Sequence, residues 1–305
     1  MGLSLSSRRM LYLDQSHIAD RWRDDAPLYK LLIIGTHNSC ASTCKSALYK
    51  WVNCQTLSIP DQLKFGVRFL DVRGYLCPET NVLKCHHGPF SLLKTVEDVV
   101  LDCAKFLALY PREFIILKLQ NENCLGGKAY AACVSKLITK FTGLFWRREQ
   151  PGCPTVGQVR GKIVLFDRFD GNALIPCLDY NTVNIRRSRK WPSLDPWEFP
   201  SLASLEVLDI PLNIYGIKVD IYERICLSRM FRNQWFQIDL SGSVVKTFLK
   251  IPLFPSTVAG HENGAFCEML TTAQSCRDSL TQGIVVMDFP SPEILLLLAN
   301  RQISN

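Results

Sequence analysis

TVEDVVLDCAKFLALYPREFIILKL, Thr95 to Leu119, changes its hydrophobic period part-way along, and that change decides the fold. From Thr95 to Tyr110 the residues Val96, Val99, Val100, Cys103, Phe106 and Leu107 recur at helical spacing and form one apolar stripe. Thr95 with Asp98 three residues on predicts a capping-box start, and Pro111 marks the stop. Phe114–Leu119 is then short, mostly apolar and partly β-branched, the pattern of a strand covered on both faces.

The same alternation runs outward in both directions. Strand-like runs stand at Leu31–Ile34, Val67–Val72, Lys162–Phe166, Trp235–Leu240 and Ile284–Met287, with a weaker one at Val82–His86. Helical patterns fit Val219–Phe231 and a last segment opened by Ser291, Pro292 and Glu293. Repeated βα units imply a parallel sheet, and their number approaches that of a closed ring. The expected fold class is α/β, a single distorted TIM-like (β/α) barrel. No dinucleotide-type glycine fingerprint follows the first strand, which weighs against a doubly wound sheet. Residues 1–28 read as an N-terminal extension and 29–305 as the barrel. Within it, 170–210 is rich in Pro, Trp and Arg and reads as an irregular insertion at the rim.

Composition narrows the function classes. A chain with 47% hydrophobic and 21% charged residues is an ordinary packed protein, not a disordered one. Ile294–Ala299, the longest apolar run, is far short of the ~20 residues that cross a bilayer. The first ten residues are polar and basic, unlike a secretory signal, so a cytoplasmic location is expected. The 13 cysteines include no C-x-x-C pair and read as reduced core residues. A net charge of +7 suits an acidic partner, anionic lipid or nucleic acid, without choosing between them.

In such a barrel, chemistry collects at the C-terminal ends of the strands. Four ends carry unusual residues: Gly35-Thr36-His37-Asn38-Ser39, Asp71-Val72-Arg73-Gly74, Cys85-His86-His87-Gly88-Pro89 and Met287-Asp288-Phe289. Alternation along a strand puts Asp71 and Arg73 on one face, and allows only one of His86 and His87 to point inward. Singly, each feature reads as a structural histidine or a buried ion pair. Together they put three of the five histidines beside an arginine and a late aspartate.

GTHNS around His37, G-V-R-F-L-D-V-R-G at Gly66–Gly74 and H-H-G-P at His86–Pro89 resemble the X-domain of phosphatidylinositol-specific phospholipases C. The likeness is nearest to the bacterial single-domain enzymes. It continues through Tyr110–Leu117, Arg160–Leu165 and the last strand and helix, covering roughly residues 29–170 and the last 25 or so. The resemblance implies an intramolecular phosphoryl transfer that releases diacylglycerol and inositol 1,2-cyclic phosphate. His37 matches the general base, Asp288 its orienting carboxylate, His87 the general acid and Arg73 the cation on the phosphate oxygens, with Asp71 in support. Asn38 stands where bacterial relatives carry an aspartate that supports the acid histidine; calcium-dependent and trypanosome relatives also show Asn there. Calcium-dependent relatives hold a carboxylate ligand at the position of Arg73, and Gln120 falls near another ligand position. No metal and no cofactor are therefore expected. For the sugar, Arg168 matches a contacting arginine, Gln120 replaces a lysine, and Asp209 and Tyr215 are competing placements for one ring-binding position.

The implied partner is phosphatidylinositol or a glycosylphosphatidylinositol in a membrane. A monomer that binds no nucleic acid and lies peripherally on an anionic surface is expected. Met1-Gly2-Leu3-Ser4-Leu5-Ser6 fits the myristoylation pattern, making Gly2 a lipidation candidate. One acyl chain binds marginally, so a second signal is needed. Arg8 and Arg9, Arg186–Lys190 near Trp191 and Trp197, and Phe145–Trp146 beside Arg147–Arg148 could supply it. Two other readings are a catalytically dead X-domain that binds lipid or protein, and a metal-dependent glycerophosphodiester phosphodiesterase barrel.

Overall fold

The computed structural model describes residues 14–42, 44, 49–122, 127–147, 152–169, 178–179, 186–187, 225, 234–241, 254–272 and 280–301. Ten strands occur among them. They are β1 Leu32–Thr36, β2 Phe69–Leu76, β3 Leu83–His87, β4 Phe90–Thr95, β5 Ile115–Asn121, β6 Ile163–Arg168, β7 Leu178–Asp179, β8 Arg186–Arg187, β9 Phe236–Leu240 and β10 Gly283–Met287. Eight of them follow the path β7-β6-β5-β2-β1-β10-β9-β8. Every pairing along that path is parallel.

The order is that of a barrel. First and last strands lie side by side, Leu32–Thr36 against Gly283–Met287, which an open doubly wound sheet does not do. The path ends at β7 and β8, consecutive in the chain and two residues each, and among the described residues no ladder joins them. Among the described residues the ring of strands thus stays open between them. β1 and β10 are buried at every position, the consequence of packing on both faces.

Helix Val96–Leu109 covers the outside of this sheet. Its buried residues are Val96, Val99, Val100, Cys103, Phe106 and Leu107, and Thr95 and Asp98 close the capping box. Each such side chain contributes roughly 1.5–3 kcal/mol by leaving water. The expected last helix is Pro292–Arg301. Most of Val219–Phe231, like 170–177 and 188–210, lies outside the described residues.

The strand expected at Val82–His86 needs a correction. It exists as β3, but it is not a barrel strand: it runs antiparallel to β2 and forms a hairpin with β4, a strand the hydrophobic pattern did not reveal. His87 pairs with Phe90 across Gly88-Pro89, and Gly88 takes φ +55°, a left-handed conformation that glycine adopts at little cost. β2 is long enough to serve β3 as well as its barrel neighbours β1 and β5. Its first six residues pair with β5, while Gly74–Leu76 pair with β3 beyond the barrel rim. The hairpin thus carries His87 to the mouth.

The opposite pole is held by a buried ion pair. Arg68 Nε donates to Glu113 Oε2 at 2.7 Å, its other nitrogens reach the carbonyls of Leu63, Val67, Gln15 and Ser16, and Glu113 Oε1 accepts from Ala19 N at 2.8 Å. Burial opposes both charges, so the pair stands only while both partners are present. Arg68→Met is expected to lower the unfolding free energy by about 3–5 kcal/mol in urea titrations. Adding Glu113→Leu should recover most of that loss; no recovery would show that the pair itself carries the stability. Phe145 and Trp146 also sit at this pole. Phe145 is buried and bridges to Ile163 at the start of β6, so this aromatic pair does not share the rim of the mouth. A groove of about 640 Å³ beside Trp146, Arg147 and Lys162 opens at the same pole.

Candidate active site

β1 ends at Thr36, and the next residue, His37, has its backbone tied to β10 through His37 N to Met287 O at 2.9 Å. Gln55 Nε2 donates to both His37 O (2.7 Å) and Met287 O (3.1 Å), clamping the two strand ends together. His37 Nδ1 lies 2.8 Å from Asp288 Oδ1, and its Nε2 lies 2.6 Å from Arg73 Nη2. A guanidinium can only donate, so Nε2 accepts and the neutral ring carries its proton on Nδ1, donated to Asp288. That tautomer leaves the Nε2 lone pair as the basic site, with Arg73 resting on it.

Arg73 projects from the same face of β2 as Asp71, its Nη2 3.8 Å from Asp71 Oδ2. Nη1 lies 3.5 Å from Glu122 Oε1, just past β5. Asp71 is held more closely by Lys118 Nζ at 2.7 Å, from the adjacent position on β5. Burial would raise the Asp71 carboxyl, but Lys118, then Arg73 and His37, outweigh it and hold it well below the usual carboxylate range. Burial opposes the Arg73 charge too, yet Asp71 and Glu122 more than offset it and the guanidinium is raised. Both charges are therefore fixed around neutral pH.

His87 and His37 face each other edge-on, ring centroids 6.3 Å apart. His87 Nδ1 lies 2.7 Å from Val52 O, which can only accept, so Nδ1 is protonated and Nε2 remains for proton transfer. Burial lowers the His87 pKa, against the Val52 carbonyl; Arg73 and His37 push the same way as burial. His86 points to the other side and stacks on Tyr75 at 4.5 Å, as strand alternation requires. Asn38, at φ +40°, is fully buried; its N–H donates to Asp71 Oδ2 at 3.3 Å. Among the described residues its side-chain amide has no hydrogen-bond partner and does not meet His87, whose Nδ1 is held by the Val52 carbonyl instead.

Arg73, Gln120 and Arg168 are register partners in a row across β2, β5 and β6 at the level of the mouth. Gln120 Nε2 donates to Glu122 Oε2 at 3.2 Å. Asp209, Tyr215, Gly2, Lys190, Trp191 and Trp197 lie outside the described residues; Arg186 and Arg187 form β8. Four residues that sequence reading did not single out join the site: Gln55, Lys118, Glu122 and Cys54. Glu122 also accepts from Gly88 N at 2.7 Å, tying the turn after His87 to Arg73. Cys54 Sγ is 3.8 Å from His87 Nδ1, and burial first, then the charge of Asp288, pushes its thiol well up. Lys118 alone carried a signal, a charged residue in the middle of an otherwise buried strand.

A base held by a carboxylate, a facing second imidazole and a fixed cation form a set for proton transfer around an anionic centre. Residues 31–169 match the profile of the family described as phosphatidylinositol-specific phospholipase C, X domain. This segment belongs to that family. The X domain holds His37, Arg73, His87, Lys118 and Glu122, whereas Asp288 comes from outside it. Relatives include 1-phosphatidylinositol phosphodiesterase of Staphylococcus aureus (strain Newman), 28% identical over 160 residues, 48% of this chain and 49% of that protein. The Listeria monocytogenes phosphodiesterase is 28% identical over 149 residues, 47% of this chain and 45% of its own length. PI-PLC X domain-containing protein 1 of Mus musculus is 28% identical over 149 residues, 48% and 40% of the two chains. The chain spans about half the length of the curated relatives it matches.

The fold likeness reaches past the X domain. Phosphatidylinositol-specific phospholipase C from Listeria monocytogenes superposes with a TM-score of 0.76 at 20% identity, over 94% of this chain and 98% of that one. The Staphylococcus aureus enzyme gives 0.73 at 17% identity, over 94% and 97%. At such identities this likeness establishes the barrel fold. Among the described residues, no helix is long and apolar enough to cross a membrane.

Proposed function

We propose that this chain is a metal-independent phospholipase C that cleaves phosphatidylinositol or a glycosylphosphatidylinositol to diacylglycerol and inositol 1,2-cyclic phosphate. The observation that carries this reading is the His37 geometry, Nδ1 on Asp288, Nε2 under Arg73 and His87 across the gap. An arriving phosphodiester offers the Arg73 guanidinium better acceptors than an imidazole nitrogen. Arg73 moves to the phosphate oxygens, and His37 Nε2 is released to take the proton of the inositol 2-hydroxyl. The 2-oxygen bonds to phosphorus, the bond to the glycerol oxygen breaks, and His87 Nε2 returns a proton to that oxygen. Asp288 stabilises the imidazolium formed on His37.

A calcium ion takes six to eight oxygen ligands. Here Asp71 is engaged by Lys118 and Arg73, and Glu122 by Arg73 and the backbone of Gly88, which supports a fixed cation in the ion's place. Docking on an anionic bilayer, with Gly2 acylated in a suitable host, completes this reading. The barrel with its N-terminal extension and rim insertion is proposed as one catalytic unit. The Arg73 contact also favours a second reading, a binding module whose base stays covered.

Vesicles of phosphatidylinositol or of a glycosylphosphatidylinositol, and soluble glycerophosphocholine, each incubated with the chain in EDTA and again with added divalent metal, separate the readings. Release of diacylglycerol from an inositol lipid is expected. Vesicle binding without release would favour the module, and metal-dependent turnover of glycerophosphocholine would favour the glycerophosphodiesterase barrel.

The lowered His87 pKa sets a pH dependence. As acid, His87 must be protonated, so kcat/KM is lost as pH rises through a value below the ordinary histidine pKa of about 6.5. A bound phosphodiester anion favours the imidazolium, so the same limb in kcat lies at higher pH. Profiles measured on a short-chain soluble substrate check this. Limbs that coincide above pH ~6.5 would remove His87 as the acid.

A further inference from the structure

The residues around the general base also make up a metal-ligand set. His37, Cys54 and Asp288 each present a donor atom, the three atoms lie within 4.8 Å of one another, and all three residues are buried. They come from separate places: the residue after β1, the loop after the short helix Tyr49–Val52, and the end of β10. Their positions are fixed by backbone contacts among those same segments. Phe289 N donates to Cys54 O at 2.8 Å, and Gln55 bridges the carbonyls of His37 and Met287. His87 Nδ1 lies 3.8 Å from Cys54 Sγ, but it carries its proton toward Val52 O and does not join the set.

One thiol, one carboxylate and one imidazole form the mixed N/S/O set that Zn²⁺ takes, with water in the fourth position. Tetrahedral zinc with bonds of about 2.0–2.3 Å needs donors roughly 3.4–3.8 Å apart, so the widest spacing in the triad must close by at most about 1 Å, while His37 Nδ1 and Asp288 Oδ1, at 2.8 Å, must part slightly if both ligate. Ca²⁺ and Mg²⁺, which require several oxygens, are not served by a single carboxylate. We infer that His37, Cys54 and Asp288 form an inhibitory site for Zn²⁺ or a cation of that class.

The consequence follows from which atoms are used. Coordination takes Asp288 from His37 Nδ1, or takes Nε2 itself, and in either arrangement the ring no longer accepts the substrate proton. A protein that works without a metal would thus be switched off by one. The inhibition rests on the phospholipase reading; the binding of the ion does not.

The full chain, treated with EDTA and then freed of chelator, is titrated with Co²⁺ and afterwards with Zn²⁺. The expected result is a near-ultraviolet thiolate-to-cobalt absorption that Zn²⁺ displaces. Cys54→Ala should remove that absorption, and Asp288→Asn should weaken Zn²⁺ binding at least about 10–100-fold. Cys54→Ser, with folding confirmed by circular dichroism, guards against loss through misfolding. Titrations of Cys54→Ala and Asp288→Asn that match the parent would overturn the site. In a parallel arm, the Zn²⁺ concentration that halves phosphatidylinositol hydrolysis, referred to each protein's own rate in EDTA, should rise at least about 10-fold in Cys54→Ala. An unchanged concentration would overturn inhibition through this triad. If the chain hydrolyses nothing in EDTA, the phospholipase reading fails while the cobalt titration still decides the site.

Discussion

Replacing His37 by alanine is expected to lower kcat for phosphatidylinositol cleavage by about 10²–10⁴-fold, or roughly 3–5 kcal/mol of transition-state stabilisation. His37 is where three strand ends meet. Its Nδ1 rests on Asp288 just past β10, its Nε2 under Arg73 of β2, and its carbonyl on Gln55. No other side chain in the described site pairs an accepting imidazole nitrogen with a buried carboxylate behind it. His87 does not replace it, because its Nδ1 is committed to the Val52 carbonyl. The loss should fall in kcat and in kcat/KM about equally, since the base acts only as the 2-hydroxyl is deprotonated. Steady-state kinetics on vesicles of fixed composition check this. A variant within about threefold of the parent would place the base elsewhere.

Arg73→Ala is expected to cost about 10²–10³-fold in kcat, and Arg73→Lys to restore only a small part of it. The guanidinium is held by Asp71 and Glu122 on two sides, pre-aimed at the gap between the histidines. Its flat fork can bind two phosphoryl oxygens at once, whereas an ammonium is a point charge on a flexible stem. The alanine variant also exposes His37 Nε2, so its loss shows the charge term against a base that is already free. Added Ca²⁺ should not restore turnover, because Lys118 still occupies Asp71. A lysine variant equal to the parent would make Arg73 a plain counter-charge.

Much of the architecture was readable from the sequence, for a local reason. Strands such as Ile115–Asn121 and helices such as Val96–Leu109 declare themselves by period, and Thr95, Asp98 and Pro111 punctuate them. Placing chemistry at strand ends led directly to His37, Arg73 and Asp288. The β3–β4 hairpin was not legible as a hairpin. A short apolar run looks alike in parallel and antiparallel company, and only Gly88-Pro89 hinted at the turn.

The supporting residues depend on register between strands far apart in sequence. Lys118 matters because it lies opposite Asp71, and Glu122 because it follows β5 beside Arg73. The support of His87 is hidden more deeply, since it is the backbone carbonyl of Val52, and every residue carries a carbonyl. Reading side chains alone therefore directed attention to Asn38. Its buried amide has no hydrogen-bond partner among the described residues, histidine nitrogens included.

The most direct test follows the phosphorus. The EDTA-treated chain is mixed with phosphatidylinositol vesicles and the products are observed by phosphorus-31 NMR. The expected result is a five-membered cyclic phosphodiester that appears first and without added metal, and is absent with His37→Ala. No product, or product only after Ca²⁺ is supplied, would contradict catalysis by the His37, His87 and Arg73 set.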